Sequence, residues 1–442
     1  MIKIDAPTGA LKIISRLEDA GYPAFLVGGC VRDSLLGRVP KDWDICTAAD
    51  PVQVLGLFPY DRTLNVGLKH GTVAILLDGA KYEVSTFRAA EWGKSGESVR
   101  VEDDLSRRDF TINAMAYHPL AGVIDPFGGR QDLEDGQIRC VGSPTFRFME
   151  DPLRALRAIR FSSVYGFVIE PRTAASIKAF VPLLKKVSPE RIENELVKIL
   201  EGKNFLAPFL LYPEVFSTAL PELEPCVGFE QNNPWHIYNV YEHIGRAVAS
   251  YEGSDPVVKI ALLLHDIGKP SSYVEDENGV GHFPGHGKAS RTLAWKALWR
   301  LHFDRKTIET VQQLVLYHDA ELQNTPKNVC RWLNRLGEER LRELIEVKRA
   351  DNLAQSPDKA QSVLESLEKF SALMEQVLAD KQCFSLRDLE INGSDLLSMG
   401  VPEGKKLGMI LGRLMEEVVD GTLKNQHEAL MNRAKELIAN NT

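Results

Sequence analysis

The sequence contains no CxxC pair, and its six cysteines (Cys30, Cys46, Cys140, Cys226, Cys330 and Cys383) are scattered over 442 residues. That spacing offers no zinc knuckle, and a chain this long does not call for a disulfide framework. Long apolar runs are missing too: Ile260 to Leu264 is among the longest, a quarter of the ~20 residues a membrane span needs. The opening Met-Ile-Lys-Ile-Asp lacks the basic region and apolar stretch of a signal peptide. These absences predict a protein of the reducing cytoplasm with no membrane partner. Internal repeats and low-complexity segments are not found. An excess of positive charge is lacking as well: 53 Lys and Arg stand against 61 Asp and Glu, a net charge of −8. Taken globally, this argues against a nucleic-acid partner, because such domains are usually basic. What is present is ordinary globular composition, 44% hydrophobic and 26% charged, with length for about three domains.

Residues 1 to about 140 read as α/β. Leu11 to Ala20 has helical spacing, Ala24 to Val27 is a short apolar strand ending in Gly28-Gly29, and Thr72 to Leu77 and Tyr82 to Phe87 are strand-like. From Met149 onward apolar residues recur at three and four. Pro189 to Leu200, Val257 to Leu264, Arg331 to Ala350 and Leu407 to Val419 all predict helices. The Gly/Asp/Asn-rich stretch from Glu275 to Gly287 predicts a loop.

The run from Leu26 to Asp44 is the most informative part of the head. A strand ends at Gly28-Gly29 and a helix is predicted to begin near Val31. Backbone N–H groups at such a turn suit a phosphate, and Arg32 adds a charge-assisted donor. Asp42 and Asp44 follow at i and i+2, which in a strand project from one face. Two carboxylates held together repel unless a cation sits between them, and Mg²⁺ takes oxygen ligands that it shares with substrate phosphates. Further along, Asp151, Arg154, Arg157 and Arg160 recur at intervals of three, neighbours on a helix. Asp offers acceptors and Arg a fork of donors, so one such pair can satisfy the pairing edge of cytosine or adenine. By itself the pair would equally be a surface ion pair.

The blocks Gly28-Gly29-x-Val31-Arg32-Asp33-x-Leu35-Leu36-Gly37 and Asp42-x-Asp44 resemble the signature of class II tRNA nucleotidyltransferases, the CCA-adding enzymes and bacterial poly(A) polymerases of the polymerase-β superfamily. The resemblance continues through Arg107-Arg108-Asp109-Phe110-Thr111-Ile112-Asn113, Asp125-Pro126-Phe127-Gly128-Gly129, Glu150-Asp151-Pro152-Leu153-Arg154 and Pro189-Glu190-Arg191-Ile192. It implies an α+β head with a mixed sheet, followed by an all-α neck, body and HD domain. It implies that Asp42 and Asp44 hold catalytic Mg²⁺, and that Gly28, Gly29, Arg32, Arg108, Asp109 and Asn113 meet the sugar and triphosphate. Asp151 and Arg154, with Arg157 and Arg160 behind them, would read the base. Two metals would activate the tRNA 3′-hydroxyl and steady the pyrophosphate, leaving the protein to position and neutralise charge. Glu83 is the choice for a third carboxylate, with an ordinary strand-edge glutamate as the alternative. The substrates implied are CTP, ATP and the acceptor arm of tRNA. One departure stands out: the 19 residues from 88 to 106 make a shorter loop than the family usually carries, a feature of members that add only the two cytidines. Addition of CC alone, and poly(A) synthesis, are therefore the alternatives to full CCA addition.

Seven of the ten histidines lie between positions 236 and 318. His243, the pair His265-Asp266, His286, His318 and then Asp351 resemble the H…HD…H…H…D order of HD-superfamily metal phosphohydrolases. That resemblance implies a second site holding Mn, Ni, Fe or Mg, with a phosphomonoester or a 2′,3′-cyclic phosphate as substrate. Asp319 competes with Asp351 for the last place, and His236 and His282 are candidates for supporting roles. The expected organisation is a head at 1–140, a helical neck with the base-reading helix at 141–225, an HD domain at 226–355 and a helical tail at 356–442. Local charge also qualifies the global figure: Arg154 to Lys198 contains nine basic and four acidic residues, a surplus of five positive charges. Phosphate contact needs a local basic surface rather than a basic protein.

Overall fold

A computed structural model describes residues 3–58, 62–64, 71–88, 99–380 and 385–439. Two compact units divide the chain, Met1–Ala219 and Leu220–Thr442. This division groups the expected head with the neck, and the expected HD segment with the tail.

The first unit is built on a seven-stranded mixed sheet: β1 (Ala24–Val27), β2 (Trp43–Thr47), β3 (Arg62–Leu64), β4 (Thr72–Leu77), β5 (Ala80–Thr86), β6 (Ala116–His118) and β7 (Gly122–Ile124). Their order is β3-β4-β5-β2-β1-β6-β7. Only β2 and β5 run parallel, with Asp44 opposite Glu83; the other neighbours are antiparallel. Val27 of β1 and Cys46 of β2 pack with Phe87, Val99, Val101, Leu105 and Val141 into an apolar cluster. It backs β2, the strand that carries Asp44. The five described cysteines are buried and unbridged, small apolar fillers of the core.

Helices dominate the remainder. Arg154–Tyr165 and Pro189–Glu201 pack side by side in the first unit. In the second, Val240–Ser250, Pro256–Leu264, His286–Arg300, Arg305–Tyr317 and Glu338–Leu353 surround an apolar centre that includes Ile244, Leu262, Leu298, Val311 and Leu344. Among the described residues no helix is long and apolar enough to cross a membrane.

Three local expectations are corrected. The helix expected over Arg331 to Ala350 is two, Pro326–Leu336 and Glu338–Leu353, because Gly337 takes φ +76° and ends the first. The loop over Glu275 to Gly287 contains a small hairpin, Val274–Glu275 with Gly281–His282, and its last residues open the helix at His286. Asp151 and Arg154 do not share a helix. Pro144–Glu150 ends before Asp151, whose extended backbone (φ −146°, ψ 100°) follows from the proline after it, and Arg154 opens the next helix.

Candidate functional site

An open cleft of about 910 Å³ in the first unit is lined by the head and neck residues singled out above: Gly28, Gly29, Arg32, Asp42, Asp44, Glu83, Arg108, Asp109, Asn113, Asp151, Arg154, Arg157 and Arg160. Their routes there differ. Asp44 is in β2, and Asp42 lies one residue before that strand rather than within it. Glu83 belongs to β5, inside the sheet between β4 and β2, not at its edge. Burial, and then the nearby Glu83, push the Asp44 carboxyl above its usual range, against the pull of Arg108 and Lys81. Carboxylates crowded in this way lower their free energy by gaining a cation. Lys81 supplies part of that charge, with Nζ 2.7 Å from Glu83 Oε1. The aspartates and Glu83 are not drawn into a tight donor cluster; among the described residues the groups of three or more whose donor atoms lie within 4.8 Å of one another are both in the second unit.

Gly28 shows why glycine is needed at the turn. Its φ is +73°, and a Cβ there would lie 2.6 Å from Arg108 Nη1. Arg108 crosses the turn with Nη2 3.5 Å from Asp104, while its Nε is buried without a hydrogen-bond partner among the described residues. That leaves a guanidinium donor available beside the glycine turn. Arg32, by contrast, is committed to the fold. It donates to both oxygens of Asp33 and to Asn113 Oδ1, and lies over the rings of Phe161 and Tyr165.

Arginines and carboxylates form a lattice along the rest of the cleft. Asp109 accepts from the Phe110 N–H, Asn113 Nδ2 and Arg157 Nε at 2.8, 2.9 and 2.7 Å. Burial alone would raise this carboxyl, but Arg157 and Asn113 hold it down to about 2. Arg160 lies 2.7 Å from Glu195. Arg157 and Arg160 thus line the cleft while each is held by a buried carboxylate. Arg154 donates to Glu150 at 2.8 Å and to the carbonyls of Arg147 and Arg107, so Arg107 serves through its backbone. Asp151 accepts from the Leu153 N–H at 3.2 Å and from Arg191 Nη2 at 2.7 Å. Lys81, Arg191 and Lys198 also line the cleft and were not singled out from the sequence. Arg191 sits inside a motif block quoted above and in the basic stretch from Arg154 to Lys198, but no local spacing placed it against Asp151.

The second unit contains the histidines. His243, His265, Asp266, His286, His318 and Asp351 converge on one buried point. The two nearest ring pairs are His243 Nε2 to His265 Nε2 at 3.2 Å and His286 Nε2 to His318 Nε2 at 3.1 Å. Asp266 lies between the pairs, 3.2 Å from His243 and His265 and 3.5 Å from His286 and His318. Asp351 is 2.9 Å from His243. Every ring turns its Nδ1 to a backbone carbonyl: Ala354, Leu262, Phe283 and Val315 at 3.3, 2.7, 2.9 and 2.8 Å. With Nδ1 donating, each neutral ring presents an Nε2 lone pair to its neighbour, an arrangement that requires a cation between them. Both oxygens of Asp266 are buried and meet no aligned hydrogen bond, although Lys269 Nζ is 2.7 Å away. Burial opposes protonation of His265, yet Asp266 and Asp351 together push its ring up to about 10. The donor set fits one or two divalent transition metals. Asp319 lines the adjoining cavity of about 610 Å³ but joins neither group. His236 packs edge-on against His243, with ring centres 5.5 Å apart, and burial and then Lys269 lower it to about 3. His282 is exposed and pairs with Asp276. Lys269, within the run after His265-Asp266, is the residue at this site that the sequence reading passed over.

Residues 24–139 match the family model of the poly A polymerase head domain, 166–214 that of a probable RNA- and SrmB-binding site of polymerase A, and 288–434 that of a putative tRNA nucleotidyltransferase domain 2. The fold and the cleft are those of a nucleotidyltransferase. The CCA-adding enzyme of Levilactobacillus brevis is 32% identical over 431 residues, covering 96% of both chains. That of Geobacillus thermodenitrificans is 46% identical over 222 residues, 48% of this chain and 54% of its own length. The crystal structure of the Bacillus stearothermophilus CCA-adding enzyme in complex with CTP superposes with a TM-score of 0.73 at 28% identity, covering 98% of each chain. The chain belongs to the CCA-adding enzyme family.

Proposed function

We propose that the first unit adds C, C and A to the 3′ end of tRNA from CTP and ATP without a nucleic-acid template. The observation that carries this is that one cleft is lined by Asp42, Asp44 and Glu83 together with Asp151 and Arg154. Asp42 and Asp44, with Glu83 beside them, are the residues to hold Mg²⁺, which when bound supplies activation of the 3′-hydroxyl and neutralisation of the pyrophosphate. Gly28 lets the triphosphate approach the backbone, and Arg108 offers its unpaired donor to it. Asp109, fixed by Arg157, and Asn113 set the floor against which the sugar rests. Asp151 accepts from the amino group of either base, and Arg154 donates to the ring nitrogen and, in cytosine, the carbonyl. The test uses tRNAs ending before the first C, before the second C and before the A, incubated with CTP and ATP, with the products sequenced. Complete CCA ends are expected. Products stopping at CC would favour the short-loop alternative; residues 89–98 of that loop lie outside the described residues. Runs of A would favour poly(A) synthesis, and absence of any extension would overturn the reading.

A second activity is proposed for the second unit, a metal-dependent phosphohydrolase acting on a phosphomonoester or a 2′,3′-cyclic phosphate. It is supported by the Nδ1-anchored histidines and the unsatisfied oxygens of Asp266. His243, His265, Asp266 and Asp351, with His286 and His318, would hold the metal, whose chemistry is to lower the pKa of a bound water and polarise the phosphoryl group. Hydrolysis of 4-nitrophenyl phosphate and of 2′,3′-cyclic AMP, each with added Mn²⁺, Ni²⁺ or Mg²⁺, tests it. No turnover with any metal would dismiss it.

A further inference from the structure

The helix His286–Arg300 carries four basic residues and no acidic one, in a chain of net charge −8. Its inner face (Gly287, Ser290, Ala294, Ala297, Leu298) is buried in the second unit. Its outer face presents Lys288, Arg291, Trp295, Lys296 and Trp299, all exposed. Lys288, Arg291, Trp295 and Trp299 recur at i, i+3, i+7 and i+11, a single stripe along the helix. Trp295 and Trp299 are 43% and 65% exposed, and their rings lie 20° from parallel with centres 6.1 Å apart. A solvent face is ordinarily polar, so two adjacent exposed tryptophans on it point to something that covers them.

Among the described residues Lys288, Arg291 and Lys296 make no ion pair, whereas Arg300 at the end of the helix is bound to Glu222 and Arg305 beyond it to Glu309. The uncompensated cations therefore coincide with the aromatic stripe. Nine residues separate His286 from Trp295, about half a turn in rotation at 3.6 residues per turn. The stripe consequently faces away from the histidine cluster and is not part of that site.

We propose that this face is an RNA-binding platform: unpaired bases stack on Trp295 and Trp299 while Lys288, Arg291 and Lys296 hold the flanking phosphates. Interleaved flat rings and cations are what a single-stranded polyanion requires, since every base has a π face and every linkage a charge. A lipid surface is a poorer match, because an interfacial helix inserts a broad apolar face, and here that face is already packed into the protein. The inference rests on the reading that the substrate of this chain is an RNA, and it assigns part of the grip on that RNA to a surface outside both candidate sites.

The test measures equilibrium binding of the full chain to a fluorescent tRNA transcript lacking its CCA end, to a single-stranded 20-mer of uridine and to a blunt 20-base-pair RNA duplex. Changing Trp295→Ala and Trp299→Ala together is expected to weaken binding of tRNA and of the single strand at least about tenfold, and of the duplex by less than twofold. Trp295→Phe with Trp299→Phe should restore most of the affinity, which separates lost stacking from lost folding. Lys288→Gln, Arg291→Gln and Lys296→Gln together should lower the slope of log affinity against log salt by about two for the single strand. Affinities and slopes within twofold of the parent in every variant would overturn the platform, while a parent that still adds nucleotides to tRNA would leave the main reading standing. If the parent adds none, the main reading falls, and the uridine 20-mer still decides the platform. Loss of binding to phosphatidylserine vesicles with RNA binding intact would overturn it in favour of a lipid.

Discussion

Single atoms decide what the cleft of the first unit offers a ligand. The Cβ that Gly28→Ala would add meets Arg108 Nη1 and forces an alanine into φ +73°. The expected result is about 1 kcal/mol of lost stability and a KM for CTP raised more than about tenfold, as the displaced guanidinium loses the phosphate. Thermal melting and steady-state kinetics measure both. Arg191 holds Asp151 Oδ2, an acceptor for which a base amino group would compete, and its side chain is half exposed, so the ion pair contributes little to folding. Leu153 already orients Asp151 from its other oxygen. Arg191→Ala should therefore lower the KM for CTP and ATP by up to about fivefold with the melting temperature nearly unmoved; a KM that rises would show that Arg191 positions Asp151 instead of competing for it. Asp109 gives a pH signature. Its folded pKa lies below the unfolded one, so its contribution of about 2–3 kcal/mol is complete above the ordinary carboxylate range and is lost as pH falls from about 4 toward 2. Denaturant unfolding followed over that range, compared with Asp109→Asn, should show the parent's steeper loss.

At the scale of elements, the turn between Pro144–Glu150 and Arg154–Tyr165 matters more than either helix. Pro152 keeps Asp151 extended, which swings its carboxylate out of helical register and into the cleft beside Arg154. An i,i+3 pair on one helix would have turned both side chains toward each other. The proline that decides this is visible in the sequence, and the spacing of three drew the reading to a helix instead. The same trade between pattern and punctuation explains Gly337, where sustained apolar spacing concealed a helix break. Strands were easier: Ala24–Val27 and Thr72–Leu77 occur where alternation and β-branching place them, because both are short, apolar and bounded by turn residues.

For the whole molecule, the two units should be separable by chemistry. Asp42→Ala is expected to reduce nucleotide addition by at least about a thousandfold while leaving hydrolysis of 2′,3′-cyclic AMP intact, and Asp266→Ala should do the reverse. Loss of both activities in either variant would refute two independent sites. Metal offers a readout without turnover. Mn²⁺ or Ni²⁺ at a hundred times its dissociation constant should stabilise the folded second unit by about 2.7 kcal/mol, seen as a raised unfolding transition that chelation reverses and His265→Ala abolishes.

The sequence alone determined the chemistry-bearing residues: glycines at a strand end, alternating aspartates, an arginine ladder and histidines in an ordered series. Such groups are chosen for what they bind, so their identities and spacing survive in one dimension. Tertiary structure decided which of them are available. Arg32, Arg157 and Arg160 turned out to be committed to carboxylates or an amide, and Arg108 was left with an unpaired donor. It also brought residues more than a hundred positions apart, His243 and Asp351, to 2.9 Å. Partnership of this kind depends on distances through space between elements remote in the chain, and no local pattern encodes them.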